Sequence, residues 1–175
     1  NGSHVMKIRQ FRFKMPLFFI GFFFVFVSCN NGEKDMVFDA IDTSGGNSER
    51  LVFTKRSNSD WEKSENQDRI SENVWFTRAD KGLLFNCKVE ASSNSSGPTG
   101  TQWIEGKIAD YTMDQLQSLE FTSLKKAANA KMKLVVGKTF IVNLLEDNIY
   151  IELTFLAWGD KSEGGGFSYS RSIIP

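Results

Sequence analysis

The chain is 175 residues long with 21 basic and 21 acidic side chains, which leaves room for one ordinary domain and a tail but not for two enzyme domains. The balance is uneven: Lys7, Arg9, Arg12 and Lys14 lie in a stretch without acids, so residues 29–175 carry 17 bases against 21 acids, an argument against a nucleic-acid binder, which needs a basic patch. His4 is the only histidine and sits in a leading Asn1-Gly2-Ser3-His4-Val5 that reads as a cloning scar, so His-dependent catalysis and His-ligated zinc are excluded from the mature chain.

In chain order, residues 1–5 are the scar and residues 6–28 read as a secretory signal. The basic start is followed by an apolar run from Met15 to Val27, shorter than the roughly 20 residues a membrane-crossing helix needs. Eight of the 16 phenylalanines fall in this part, so the whole-chain hydrophobicity overstates what the folded part can bury. Phe26-Val27-Ser28-Cys29 resembles a bacterial lipobox, in which the signal is cut before a cysteine that then carries acyl chains; the plainer reading makes Cys29 an ordinary residue near a cleavage site. Several acyl chains hold a protein on a bilayer far better than one. Residues 29–50 then form the acylated Cys29 and a flexible linker, with Thr43-Ser44-Gly45-Gly46-Asn47-Ser48 composed as a mobile turn. The polar segment behind Cys29 resembles the export signal of Bacteroidetes-type lipoproteins, which implies an outer-membrane or surface location.

Residues 51–175 are expected to form one all-β domain, an antiparallel β-sandwich or jelly roll with one or two short helices, because short apolar runs alternate with turn residues. The spacing predicts strands at Leu51–Lys55, Asn73–Arg78, Leu83–Val89, Thr101–Glu105, Ser118–Ser123, Lys138–Leu145, Ile149–Trp158 and Phe167–Ser172, and helices at Asp114–Leu119 and Ser123–Met132. Glu146-Asp147-Asn148 joins two β-rich runs as a hairpin. In the second run Ile149, Ile151, Leu153, Phe155 and Ala157 share the predicted core face, opposite Tyr150, Glu152, Thr154, Leu156 and Trp158. Cys87 alternates with Leu83 and Phe85, so it reads as a buried structural cysteine.

Phe53-Thr54-Lys55, Asp60-Trp61, Glu65 to Arg78, Leu84-Phe85-Asn86, the Ser96-Gly97-Pro98-Thr99-Gly100-Thr101-Gln102-Trp103 turn, Asp147 to Trp158 and Gly164 to Ser172 together resemble a widespread family of secreted, mostly uncharacterised bacterial proteins. The resemblance covers most of residues 51–173 and implies an exported β-domain; it brings no activity with it. Leu124 and a lysine-rich segment stand where that family usually has a Trp, so this part departs from its pattern.

Each candidate site has a plain reading beside a sharper one. Gly164, Gly165 and Gly166 permit either a tight bend into the last strand or a backbone open to a ligand. Asp68, Arg69, Arg78 and Arg171 are expected as structural charge pairs, since the planar guanidinium matches carboxylates. Trp61, Trp103 and Tyr169 are ligand-binding candidates if exposed, and core residues if not; Trp75 and Trp158, inside strands, should be at least half buried. Glu146-Asp147 and Asp160 with Glu163 could contribute to Ca²⁺ binding, but match no calcium-loop spacing and read first as solvated turns. Paired carboxylates for glycoside hydrolysis need no histidine, yet no acid pair stands out. No phosphate loop, Walker motif or Cys-x-x-Cys pair is present. The sequence therefore points to a lipid-anchored, non-catalytic envelope protein without a cofactor, which binds a glycan or another envelope protein and not nucleic acid.

Overall fold

The computed structural model describes residues 49–174. The expected scar, signal segment, lipidation residue Cys29 and nearly all of the expected linker lie outside the described residues. What is described is all-β, two antiparallel sheets with two short α-helices. The strands are β1 (Arg50–Lys55), β2 (Asp68–Arg69), β3 (Trp75–Thr77), β4 (Phe85–Asn86), β5 (Thr101–Glu105), β6 (Thr139–Leu144), β7 (Ile149–Trp158) and β8 (Phe167–Ser172), and the helices are α1 (Met113–Ser118) and α2 (Leu124–Ala127). The five-stranded sheet has the order β1-β8-β7-β6-β5 and the three-stranded sheet the order β2-β3-β4. Strands β5 to β8 form a meander, and β1 completes it by pairing with β8, Arg50 opposite Ser172.

The sandwich closes on aromatic side chains. Trp103 of β5 is 0% exposed and stacks on Phe76 of the smaller sheet (5.7 Å) and on Phe155 of β7 (6.5 Å), with Phe140 edge-on at 6.2 Å. Leu124 and Ala128 from the α2 region join the same core, next to β5. Ile141 alternates with core residues Phe140 and Val142 and so faces the other way, yet it too is fully buried. The segment after β5 folds back over that side: Ile108 N–H donates to Glu152 Oε2 at 3.0 Å, and Leu116 of α1 is buried.

The β6–β7 hairpin, β5 and β8 form where the residue pattern places them, and β1 starts one residue earlier. Four expectations change. Ser118–Ser123 is not a strand: Thr112 and Gln115 form a capping box that starts α1, and only Thr122 bridges to Trp103. The second helix stops at Ala127, where Asn129 and Ala130 take positive φ. β4 is only Phe85–Asn86, because the Asn86 side chain accepts the Trp75 N–H and the Asn86 carbonyl accepts the N–H groups of Val89 and Glu90, turning the chain. In β7 a bulge at Leu156 shifts the alternation, so Ala157 is exposed while Trp158, opposite Phe167, packs against the core.

Candidate functional site

Two loops form the wall of an open cavity of about 500 Å³. One follows β1 and contributes Asn58, Ser59, Asp60 and Trp61; the other follows β3 and contributes Ala79, Asp80 and Lys81. The first loop is set by local hydrogen bonds. Asp60 Oδ1 accepts the Glu62 N–H at 3.0 Å, and the Asp60 carbonyl accepts the Asn66 amide at 2.7 Å. Trp61 is half-buried, edge-on to Phe85 at 5.1 Å, and its carbonyl accepts from Gln67 Nε2 at 3.2 Å. Part of the indole is therefore fixed and part is accessible. Asp60, Asp80 and Lys81 are exposed, and none of the ion pairs among the described residues includes them.

The glycine run clamps these loops. Gly164 and Gly165 have φ +75° and +64°, the left-handed region that disfavours side chains. Asn58 N–H donates to the Gly164 carbonyl at 2.8 Å. A Cβ on Gly164 would collide with the Asn58 side chain, and one on Gly165 with the Ala79 carbonyl. Gly164, Gly165 and Gly166 are all buried. The reading of a backbone open to ligand is thereby corrected: the close approach these glycines allow is to the protein's own loops.

Beneath the clamp lie two buried cations. Arg78, 3% exposed, donates from Nε to the Gly82 carbonyl (3.0 Å) and from Nη1 to the carbonyls of Gly159 (2.8 Å) and Gly166 (3.2 Å). Its guanidinium lies 3.9 Å over the Trp158 ring. Burial pushes its pKa down to about 10, against the opposing pull of Asp160. Lys55, 1% exposed, has one long hydrogen bond, to the Arg56 carbonyl at 3.4 Å. Burial lowers its pKa, Asp80 raises it, and Arg78 lowers it further.

The remaining candidates stand apart from this cavity. Trp103 and Tyr169 are both 0% exposed and present no face to a ligand, which corrects their reading as surface platforms. Asp68 and Arg171 form the one carboxylate pair expected among the four charged residues, a buried two-pronged bridge of 2.7 and 2.9 Å. Tyr169 donates to the same carboxylate at 2.7 Å, and burial, then Asp68, raises its pKa well above the usual value. Arg69 and Arg78 do not pair with carboxylates: Arg78 serves carbonyls, while Arg69 lies 4.2 Å over Trp75 and bonds Gln67 Oε1 at 3.2 Å. Lys88 lies 4.6 Å over the same indole. Cys87 is half-buried rather than buried, its thiol 3.4 Å from the Trp75 carbonyl and its pKa raised by burial.

Three of the four loop acids are used internally, and the fourth, Glu146, is exposed. Asp147 accepts from Ser71 Oγ (2.6 Å) and Asn73 Nδ2 (2.8 Å); Asp160 and Glu163 form a capping box, and Asp160 also pairs with Lys133. No group of three metal-ligating side chains occurs among the described residues. The sequence reading reached Trp61 but missed Asn58, Asp60, Asp80 and Lys81. Their only signal is the turn composition of Asn58-Ser59-Asp60 and Asp80-Lys81-Gly82. No family model matches the chain, and no curated protein or solved structure matches it either.

Proposed function

We propose that this protein is a non-catalytic binding module of the cell envelope and that its ligand is a glycan held at the Trp61 pocket. The observation that carries the reading is the pairing, in one open cavity, of a partly accessible indole with flanking carboxylate and amide groups. An indole offers a flat apolar face to the C–H face of a sugar ring. Asp60, Asp80 and Asn58 beside it can accept hydrogen bonds from ring hydroxyls. The rigid attachment of Trp61 to Phe85 and Gln67 limits the ordering needed on binding.

In this reading the protein is tethered by acyl chains on Cys29, most naturally to the outer membrane, and belongs with the exported β-domains whose motifs it resembles. The test of the site is titration with a broad panel of glycans, read by intrinsic Trp fluorescence. We expect saturable binding to at least one polysaccharide, lost in Trp61→Ala with the fold intact; binding untouched by Trp61→Ala overturns the site. The test of the anchor is lipid labelling in cells, expected to vanish in Cys29→Ser; label that persists overturns it.

A second reading, an interaction subunit of an envelope assembly, is favoured by one feature. β1 is an edge of the larger sheet among the described strands, with Val52 61% exposed, a geometry suited to pairing with a strand of another protein. Co-purification of one partner from native envelopes, abolished by Val52→Pro, would support it over the glycan reading.

A further inference from the structure

The outer face of the smaller sheet carries a second cluster that the pocket does not use. Asp68 and Phe76 are paired across β2 and β3 and face the larger sheet, Phe76 in the core and Asp68 bonded to Tyr169 and Arg171. Their sequence neighbours Arg69, Trp75 and Thr77 therefore face outward. One half of this outer face is covered: Thr77 Oγ1 donates to the Asn66 carbonyl at 2.7 Å and Trp61 sits on Phe85, so the loop bearing Trp61 lies over that half. The other half ends at Trp75, two residues along the strand or roughly 7 Å away.

Trp75 is half-buried, and both Arg69 and Lys88 are exposed with their charges on its ring, at 4.2 and 4.6 Å. Two like charges on one indole repel each other. Among the described residues the ion pairs are Arg50–Glu152, Lys133–Asp160, Lys138–Glu105 and Arg171–Asp68, so neither cation is neutralised by a carboxylate within 4.0 Å. The acid nearest to Lys88 in sequence, Glu90, is committed to the N–H groups of Asn86 and Thr99 and to the Asn94 amide. Each cation keeps N–H donors for an oxyanion, the Arg69 guanidinium being bonded only to Gln67 Oε1.

We infer that Arg69, Trp75 and Lys88 form a second subsite for the ligand of the Trp61 pocket, and that this ligand is an acidic glycan whose carboxylates the two cations receive. The inference rests on the glycan reading of the pocket and names the class of glycan. A polymer stacked on Trp61 continues along the same outer face to Trp75, where a uronate carboxylate meets Arg69 and Lys88.

The test compares polygalacturonate, neutral laminarin and inorganic phosphate as probes, by calorimetry and Trp fluorescence at low and high salt. Polygalacturonate is expected to bind about tenfold more tightly than laminarin, with the preference shrinking at high salt. Arg69→Gln with Lys88→Gln should erase the preference, bringing the affinity for polygalacturonate down to that for laminarin, while Trp61→Ala weakens both polymers. Equal binding of the two polymers, or a preference that survives the double substitution, overturns the inference and leaves the pocket reading standing. Polygalacturonate binding that is lost in the double variant but untouched by Trp61→Ala overturns the pocket and, with it, the continuous two-subsite path. Displacement of polygalacturonate by phosphate at equal anion concentration overturns the acidic-glycan assignment, and silence with both polymers overturns both readings.

Discussion

Arg171 and Arg78 lie near opposite ends of β8, both buried, and they are stabilised in opposite ways. Near the C-terminal end, Arg171 meets the Asp68 carboxylate through two hydrogen bonds; burial works to lower its pKa, but the bond to Asp68 and its charge outweigh burial and raise it. Just before the strand begins, Arg78 finds no carboxylate, only three carbonyls and the face of Trp158, and burial wins. The first end ties the two sheets together by neutralising charge. The second holds loops in place by spending a cation on backbone dipoles, and the cavity walled by Trp61 stands over that second end.

The comparison is most easily broken at Asp68. Asp68→Ala leaves Arg171 charged and Tyr169 without its acceptor in the interior, and should lower stability by about 3–5 kcal/mol in urea denaturation; a loss under 1 kcal/mol would mean the seam is ornamental. Arg78→Lys is the sharper probe, because an ammonium on a flexible stem cannot reach three carbonyls and stack on Trp158 together. The expected loss is about 2 kcal/mol, accompanied by weaker binding at the pocket. Arg78→Lys indistinguishable from the parent in both measurements would show that charge alone suffices there.

Lys55 gives the smallest effect, with the opposite sign. Its folded-state pKa lies below the unfolded 10.5, so its proton is held less tightly in the folded protein. That penalty is fully present below the folded pKa and disappears as pH rises to 10.5. Lys55→Met should therefore raise stability at neutral pH by about 1 kcal/mol, with the gain shrinking toward pH 10. A destabilised variant at pH 7 would show that Lys55 holds a contact stronger than its single long bond to the Arg56 carbonyl.

Legibility in the sequence followed the range of the interactions. β5, β7 and β8 match their predicted bounds because alternation and β-rich composition are local. β2 is two residues long and carries Asp68, whose partners Tyr169 and Arg171 lie far along the chain, so no window of sequence reveals it; β4 falls inside the predicted Leu83–Val89 run, but the turn at Asn86 cuts it to two residues. Trp103 sits in a predicted strand just past a turn, which leaves its exposure open; it is buried because Phe76 and Phe155, both distant in sequence, stack on it. Arg78 was read as a partner for an acid because side chains are visible in a sequence and free carbonyls are not. The pocket walls were hidden for a related reason: Asn58 and Ala79 come together through Gly164 and Gly165, which are more than eighty residues from either.

The pairing of the first strand with the last also has a kinetic consequence. Arg50 of β1 donates to Ser170 of β8 across 120 residues, and Glu49 accepts from Ile173. A chain emerging from its N-terminal end cannot complete its larger sheet until almost all of it has been delivered. Long-range closure of this kind slows folding to milliseconds or longer, and it leaves β1 as a waiting, unpaired strand in the meantime. A protein so wired reaches its final form only after the last strand of the sheet has been delivered to the first.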